Sequence, residues 1–388
     1  MKIMKWCKKV AAIFIIFCFS LESMMAEESI ENDIKANVGE NFGIDSYIGT
    51  ISEYVEASGD YNIDLSDIAK DLVSTDGFDY KGIIIKIMSV FSKEILSTIK
   101  SSSSIFIIII IMALLSSLDL EENGDITKIA KLICFIAIAT ITVMNFIDVM
   151  NMFKNVVSTL TTIMQVVSPF LMSILIATGQ VTTTGIIQPL LLFISSFIGF
   201  LVNYVAFPFF TISVAFNIIS SISENIKFDK MSKLFSSSAI WVIGVMLTIF
   251  LSVLSLEGSI SSSVDSLAVK TTQTAVSNFV PVVGKFFSDS FETVVGATKI
   301  IGKVGGSIGI IATIIVAMVP ILKILSIMIT YYVLVALIEP ICNDVAVSKY
   351  LNGFATLYKN LLGILIGIVI LFVISTGITL NLVSALVK

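Results

Sequence analysis

Beyond residue 100 the chain is built from long apolar runs separated by short polar intervals. A helix needs about 20 largely apolar residues to cross a bilayer. The runs that approach this length are 101–118, 132–150, 163–177, 186–207, 209–222, 237–256, 308–337 and 361–383. Two of them, 163–177 and 209–222, are short, and Pro169 and Pro208 interrupt the stretches around them. Broken apolar segments at membrane depth line protein or a water-filled cavity rather than lipid, so breaks are expected there. The run 308–337 is too long: at 1.5 Å per residue it reaches about 45 Å, against a hydrocarbon core of roughly 30 Å. With Pro320 and Lys323 near its middle, it predicts a kinked, tilted helix or two half-helices.

Two further stretches have helical spacing with a polar face. In 82–100, Ile84, Ile87, Met88, Phe91, Ile95 and Ile99 share one face, and Lys86, Lys93 and Lys100 recur on the opposite one. This predicts an amphipathic helix at headgroup level with its lysine stems snorkelling, the alternative being a solvent-facing helix packed on other protein. In 257–307, Phe279, Val282, Phe286, Val294 and Ala297 approximate a face among Lys270, Lys285, Asp289 and Glu292, interrupted at Pro281 and Gly284. That pattern predicts amphipathic helices on or dipping into the membrane. The fold class is therefore all-α, a polytopic helical membrane protein.

The N-terminus is a different material. Lys2, Lys5, Lys8 and Lys9 precede the apolar run 10–19, and Ala26 offers a small residue for cleavage. This is the layout of a cleavable signal peptide, 1–26. Residues 27–80 then carry 14 carboxylates against Lys35 and Lys70. Ile30, Ile34, Val38, Phe42, Ile44, Ile48, Ile51 and Val55 recur within this segment at roughly helical spacing, so it is expected to be a small, acidic, exported helical segment. The order along the chain is then signal, acidic segment (27–80), amphipathic helix (81–100), about five or six spans, some broken (101–256), amphipathic loop (257–307) and C-terminal spans (308–388). The lysines at 227, 230 and 233 favour a cytoplasmic position for the loop that holds them. The outward placement of Lys86, Lys93 and Lys100 runs against the same bias.

Composition narrows the chemistry. Of 388 residues 56% are hydrophobic and 14% charged, against about 25% charged in a soluble protein, and mean hydropathy is +0.99. There is no histidine, and all 24 basic residues are lysine. His-based triads, His-ligated metals and arginine fingers are excluded. Of four cysteines only Cys134 and Cys342 lie outside the signal, which leaves no disulfide framework or C-x-x-C motif. The run 305–309, G-G-S-I-G, matches a nucleophile elbow formally but lacks a His base and a strand-turn-helix setting; a Ser307–Lys303 dyad has no other support. Gly305 with Gly309, and Gly363 with Gly367, form G-x-x-x-G pairs that allow close helix approach. The run 296–304 lacks the spacing of a phosphate-binding loop. Within the apolar segments the polar residues are Asn145, Asp148, Gln165, Asn203, Asn217 and Lys323, and such residues are functional candidates by default. Lys323 snorkels, pairs with a carboxylate or lines a pore, three readings that stay open. No enzyme activity, cofactor, metal or nucleic-acid binding is expected.

At residues 277–289 the chain carries S-N-F-V-P-V-V-G-K-F-F-S-D, and at 338–344 I-E-P-I-C-N-D. The first closely resembles the characteristic segment of the stage III sporulation protein AE family, and the second supports it. Signal, exported segment and polytopic C-terminal part also match that layout. Ser277, Asn278, Phe279, Pro281, Gly284, Lys285, Asp289, Pro340 and Asp344 are motif positions with structural or assembly roles. The resemblance implies a component of a channel-like, secretion-related complex between mother cell and forespore, in the mother-cell membrane around the forespore. The implied partners are the other stage III sporulation A-operon proteins (ATPase-like, ring-forming and small membrane subunits) and the forespore membrane partner protein Q, besides membrane lipid; homo-oligomerisation is left open. The alternatives are a stand-alone secondary transporter with a midplane site near Pro169, Pro208 and Pro320, and, disfavoured, an intramembrane enzyme.

Overall fold

The computed structural model describes residues 44–58, 80–117, 124–222, 228–279, 283–342 and 345–384, without the side chains of 44–45, 57–58, 80–88, 90, 116–117, 124–127, 255–300, 303, 339–342, 345 and 383–384. The signal (1–26) and the acidic stretches 27–43 and 59–79 lie outside the described residues. Every regular element among the described residues is a helix: α1 (Ile44–Ser58), α2 (Tyr80–Ser117), α3 (Gly124–Ala177), α4 (Val181–Leu201), a π-helical turn (Val202–Ala206), α5 (Phe207–Ile222), α6 (Asp229–Phe279), α7 (Val283–Cys342) and α8 (Val345–Ser384). Among the described residues six stretches are long and apolar enough to cross a membrane: Phe91–Leu115, Lys128–Ala177, Val181–Ile222, Asp229–Leu254, Val304–Ile338 and Ala346–Leu382. The chain is a multi-pass helical membrane protein.

The prolines do not produce the expected breaks. Pro169 lies inside the 54-residue helix α3, so runs 132–150 and 163–177 are one helix. Pro208 sits just after the π-helical turn, through which α4 continues into α5. A proline lacks an N–H and its ring crowds the carbonyl four residues earlier, here that of Tyr204. Widening the helix by one residue absorbs the defect, with the Phe207 N–H donating to the Val202 carbonyl. Pro320 is likewise passed without interruption in the 60-residue helix α7. Residues 80–100 run on in one helix to Ser117, with no turn between the amphipathic part and the span.

Contacts fix the directions of the helices. Ala139 accepts from the Tyr350 hydroxyl and Met164 lies by Thr376, so α3 and α8 are parallel. Asp229 pairs with Lys349, and a Cβ at Gly367 would lie 3.0 Å from Leu247, so α6 joins them. Gly305 faces Phe170 and Gly309 faces Val167, so α7 runs the other way. The pair α7–α8 forms the centre, with α2, α3 and α6 packed around it. Its core is aromatic: Tyr331, Tyr350, Phe354 and Tyr358 are buried and reach Phe135 and Phe146 of α3. Outward, Ile107, Phe193, Tyr204 and Trp241 are exposed apolar or aromatic side chains, as a bilayer-facing surface requires.

The turn from α3 to α4 is closed by glycine. Gly179 has φ 86°, the Gln180 N–H donates to Leu175 and the Gly179 N–H to Ile176. These are the two bonds of a Schellman ending, whose left-handed position favours glycine. Gln180 is buried and its side-chain amide donates to the Leu382 carbonyl, tying the turn to the end of α8. Gly179→Ala is expected to cost about 1–2 kcal/mol, seen as a lowered unfolding temperature of the detergent-purified protein; an unchanged value would show that the turn carries no strain.

Candidate functional site

Two junctions stand at opposite ends of the bundle. At the first, α1 docks across α3 and α7. Tyr47, Ile51 and Val55 are buried and share one face at four-residue spacing. The Tyr47 ring stacks on Phe170 with centroids 4.0 Å apart, and its hydroxyl donates to the Gly305 carbonyl at 2.8 Å. A side chain at Gly305 would overlap the Phe170 ring, and one at Gly309 would lie 2.8 Å from Val167 and 3.2 Å from the Tyr47 hydroxyl. The two glycines therefore make the room in which α3 approaches and Tyr47 inserts. Burial raises the Tyr47 phenol well above its ordinary value of 10.0, so it stays a donor at physiological pH. Its contribution is complete below pH 10 and is lost as pH rises beyond that, because the unfolded phenol then ionises and the folded one does not.

At the other end, α5, α6 and α8 enclose a polar cavity of about 160 Å³, lined by Ser213, Asn217, Asp229, Lys233, Lys349 and Asn352 among others. The reasons are local. On α5, Ser213, Asn217 and Ser220 recur at intervals of four and three, which places a polar stripe on an apolar helix. Ser213 and Ser232 each donate to the other's backbone carbonyl, at 2.7 and 2.8 Å, clamping α5 to α6. The Asn217 amide donates to the Tyr350 carbonyl at 3.0 Å, and a Cβ at Gly353 would overlap that amide. Asp229, at the start of α6, accepts from Ser220 at 2.7 Å and pairs with Lys349 of α8 at 2.7 Å. Lys349 and Asp229 are each about one-third exposed, 36% and 31%. The pair thus stands at the rim, and its worth comes from joining three helices rather than from burial.

The sequence candidates fall differently. Ser277, Asn278 and Phe279 are the last three residues of α6, and Gly284, Lys285 and Asp289 lie in the first turns of α7. Their side chains, together with Pro281 and Asp344 altogether, are outside the described residues, and Pro340 is placed only as backbone near the end of α7. Lys323 is exposed on α7 and makes no ion pair or hydrogen bond among the described residues. Gly363 meets nothing within 4 Å of an added Cβ. Asn217 was legible as an intramembrane polar residue; Asp229, Lys349 and the serine clamp were not singled out, although the serine spacing on α5 signals them. Among the described residues no cluster of three metal-binding side chains occurs.

The family model for stage III sporulation protein AE matches residues 63–382. The chain belongs to the stage III sporulation protein AE family. Both the cavity and the Gly305–Gly309 contact lie inside the family region, whereas α1 precedes it. The stage III sporulation protein AE of Bacillus subtilis (strain 168) is 25% identical over 272 residues, covering 68% of each chain. No solved structure matches. Membership gives the protein a role in sporulation.

Lys349→Met is expected to destabilise the purified protein by about 0.5–1 kcal/mol, by removing the link from α8 to Asp229 and Ser220. Adding Asp229→Asn should recover most of this in a double-mutant cycle, whereas additive losses would show that the pair is not coupled. Tyr47→Phe should cost about 1 kcal/mol at neutral pH and reduce the stability loss that wild type shows above pH 10. Equal alkaline losses in the two proteins would assign that loss to other groups.

Proposed function

We propose that this chain is an integral component of the channel-like, secretion-related complex that links mother cell and forespore, and that it serves forespore maturation and late forespore gene expression. The observation that carries the reading is the family match across residues 63–382, which takes in all six apolar stretches. In this reading the bundle is a passive base or conduit without catalysis of its own. Energy comes from an ATPase-like subunit of the same operon, and the ring-forming subunits and the forespore membrane partner protein Q complete the passage. The membrane is the one the mother cell wraps around the forespore.

A straight helix crosses a bilayer once, whatever its length. Merging four of the eight apolar runs into two helices, α3 and the α4–α5 rod, removes two crossings and leaves the parity unchanged. If the signal exports α1, the end where α2 and α5 finish and α3, α6 and α8 start faces the mother-cell cytoplasm, and the end with α1 faces the space between the membranes. Lys128, Lys131, Lys230, Lys233 and Lys349 at the first end agree with the bias of lysine toward the cytoplasm, whereas Lys86, Lys93 and Lys100 at the start of α2 run against it. Carboxylates Glu53 and Glu56 on α1 lie at the other.

Deleting the gene should let engulfment finish while forespores shrink and a late forespore reporter stays silent, scored by membrane-dye imaging and reporter fluorescence. Normal spore maturation in the deletion strain would contradict the reading.

A further inference from the structure

The cavity between α5, α6 and α8 has donors left over. Asp229 and Lys349 neutralise each other, and the Ser213 and Ser232 hydroxyls are engaged with each other's carbonyls. Lys233 and Asn352 also line the cavity, both are exposed, and no described group takes a hydrogen bond or ion pair from either side chain. The cavity therefore presents two ammonium groups against one carboxylate, Lys233 acting on Asp229 through space without a salt bridge to it, a net positive site with a free amide beside this second ammonium. Its volume of about 160 Å³ has room for a tetrahedral oxyanion group.

Its depth is fixed by α6. The apolar run 237–256 has 20 residues, about 30 Å, the thickness of the hydrocarbon core. Asp229 and Lys233, within the two turns before it, thus stand at headgroup level. On the same turns of α5 and α6, Ile219 and Leu234 are exposed apolar side chains, 42% and 55%, beside which acyl chains can lie. Pockets of this kind, basic and between spans, suit anionic headgroups.

We propose that this cavity binds a phosphate group, held by Lys233 and the Asn352 amide with Lys349 at its rim, and carried by an anionic phospholipid or supplied as a free phosphate ion. The site is independent of the channel reading, because it rests on the cavity alone.

The test uses the full chain in phosphatidylcholine nanodiscs, with phosphatidylglycerol included in one arm and inorganic phosphate added in the other. Unfolding temperature and native mass spectrometry of retained lipid are read. Wild type should be stabilised in at least one arm, and Lys233→Gln should weaken that response about tenfold in ligand concentration, as the loss of one charged hydrogen bond would. Asn352→Asp, which adds a repelling charge at an exposed position, should do the same, while Lys323→Gln should respond like wild type. A response to phosphatidylglycerol alone assigns the group to lipid, and a response to inorganic phosphate assigns it to a free ion. No stabilisation of wild type in either arm, or equal responses of wild type, Lys233→Gln and Asn352→Asp, would overturn the proposal.

Discussion

A bilayer offers a peptide group no hydrogen bond, and the architecture follows from that constraint. Once the chain enters the apolar phase, each carbonyl and N–H must find its partner within the helix or on a neighbour. Stopping a helix at a proline there would orphan about four groups on each side of the break. Passing through costs one bond, which a π-turn at 202–206 or a packed neighbour redistributes. Hence α3, α7 and the α4–α5 rod are long and unbroken, and the polar termini collect at two ends. α7 has 60 residues, about 90 Å, so it extends far beyond a hydrocarbon core of roughly 30 Å. The excess length must be clothed by other protein, or by tilt.

The ends differ in chemistry. At one, an acidic helix delivers a tyrosine into a notch made by two glycines, and the Gly305 carbonyl gives the buried Tyr47 hydroxyl its acceptor where α3 and α7 touch. At the other, lysines, serines and one carboxylate hold the starts of α6 and α8 against the end of α5. The first is a packing joint that excludes water. The second is a wet, charged joint around a small cavity.

Much of this was legible in the sequence, because apolar length is a direct statement about the bilayer. The helical class, the membrane location and the family all followed from runs and from the residues at 277–289. Continuity did not follow. Pro169 and Pro208 carry a local signal for a break, and the constraint that overrides it is the surrounding lipid and protein, which the local signal does not contain. The glycine pairs show the same limit. Gly305 and Gly309 both face α3, whereas of the second pair Gly367 lies against Leu247 and Gly363 against nothing. Spacing places residues on a face; the length of the neighbouring helix decides which of them it covers. The Asp229–Lys349 pair joins residues 120 positions apart, and nothing local marks either as the other's partner.

The central claim is a bundle of six crossings whose α1 end and lysine end lie on opposite sides of one membrane. The most direct test is labelling by a membrane-impermeant thiol reagent of single-cysteine variants, Ser46→Cys on α1 and Lys230→Cys on α6, in a chain with its native cysteines replaced. Both positions are exposed. In intact vegetative cells made to express the variants, where the α1 face meets the medium, Ser46→Cys should label and Lys230→Cys should label only after permeabilisation. Labelling of both from the same side would contradict the account.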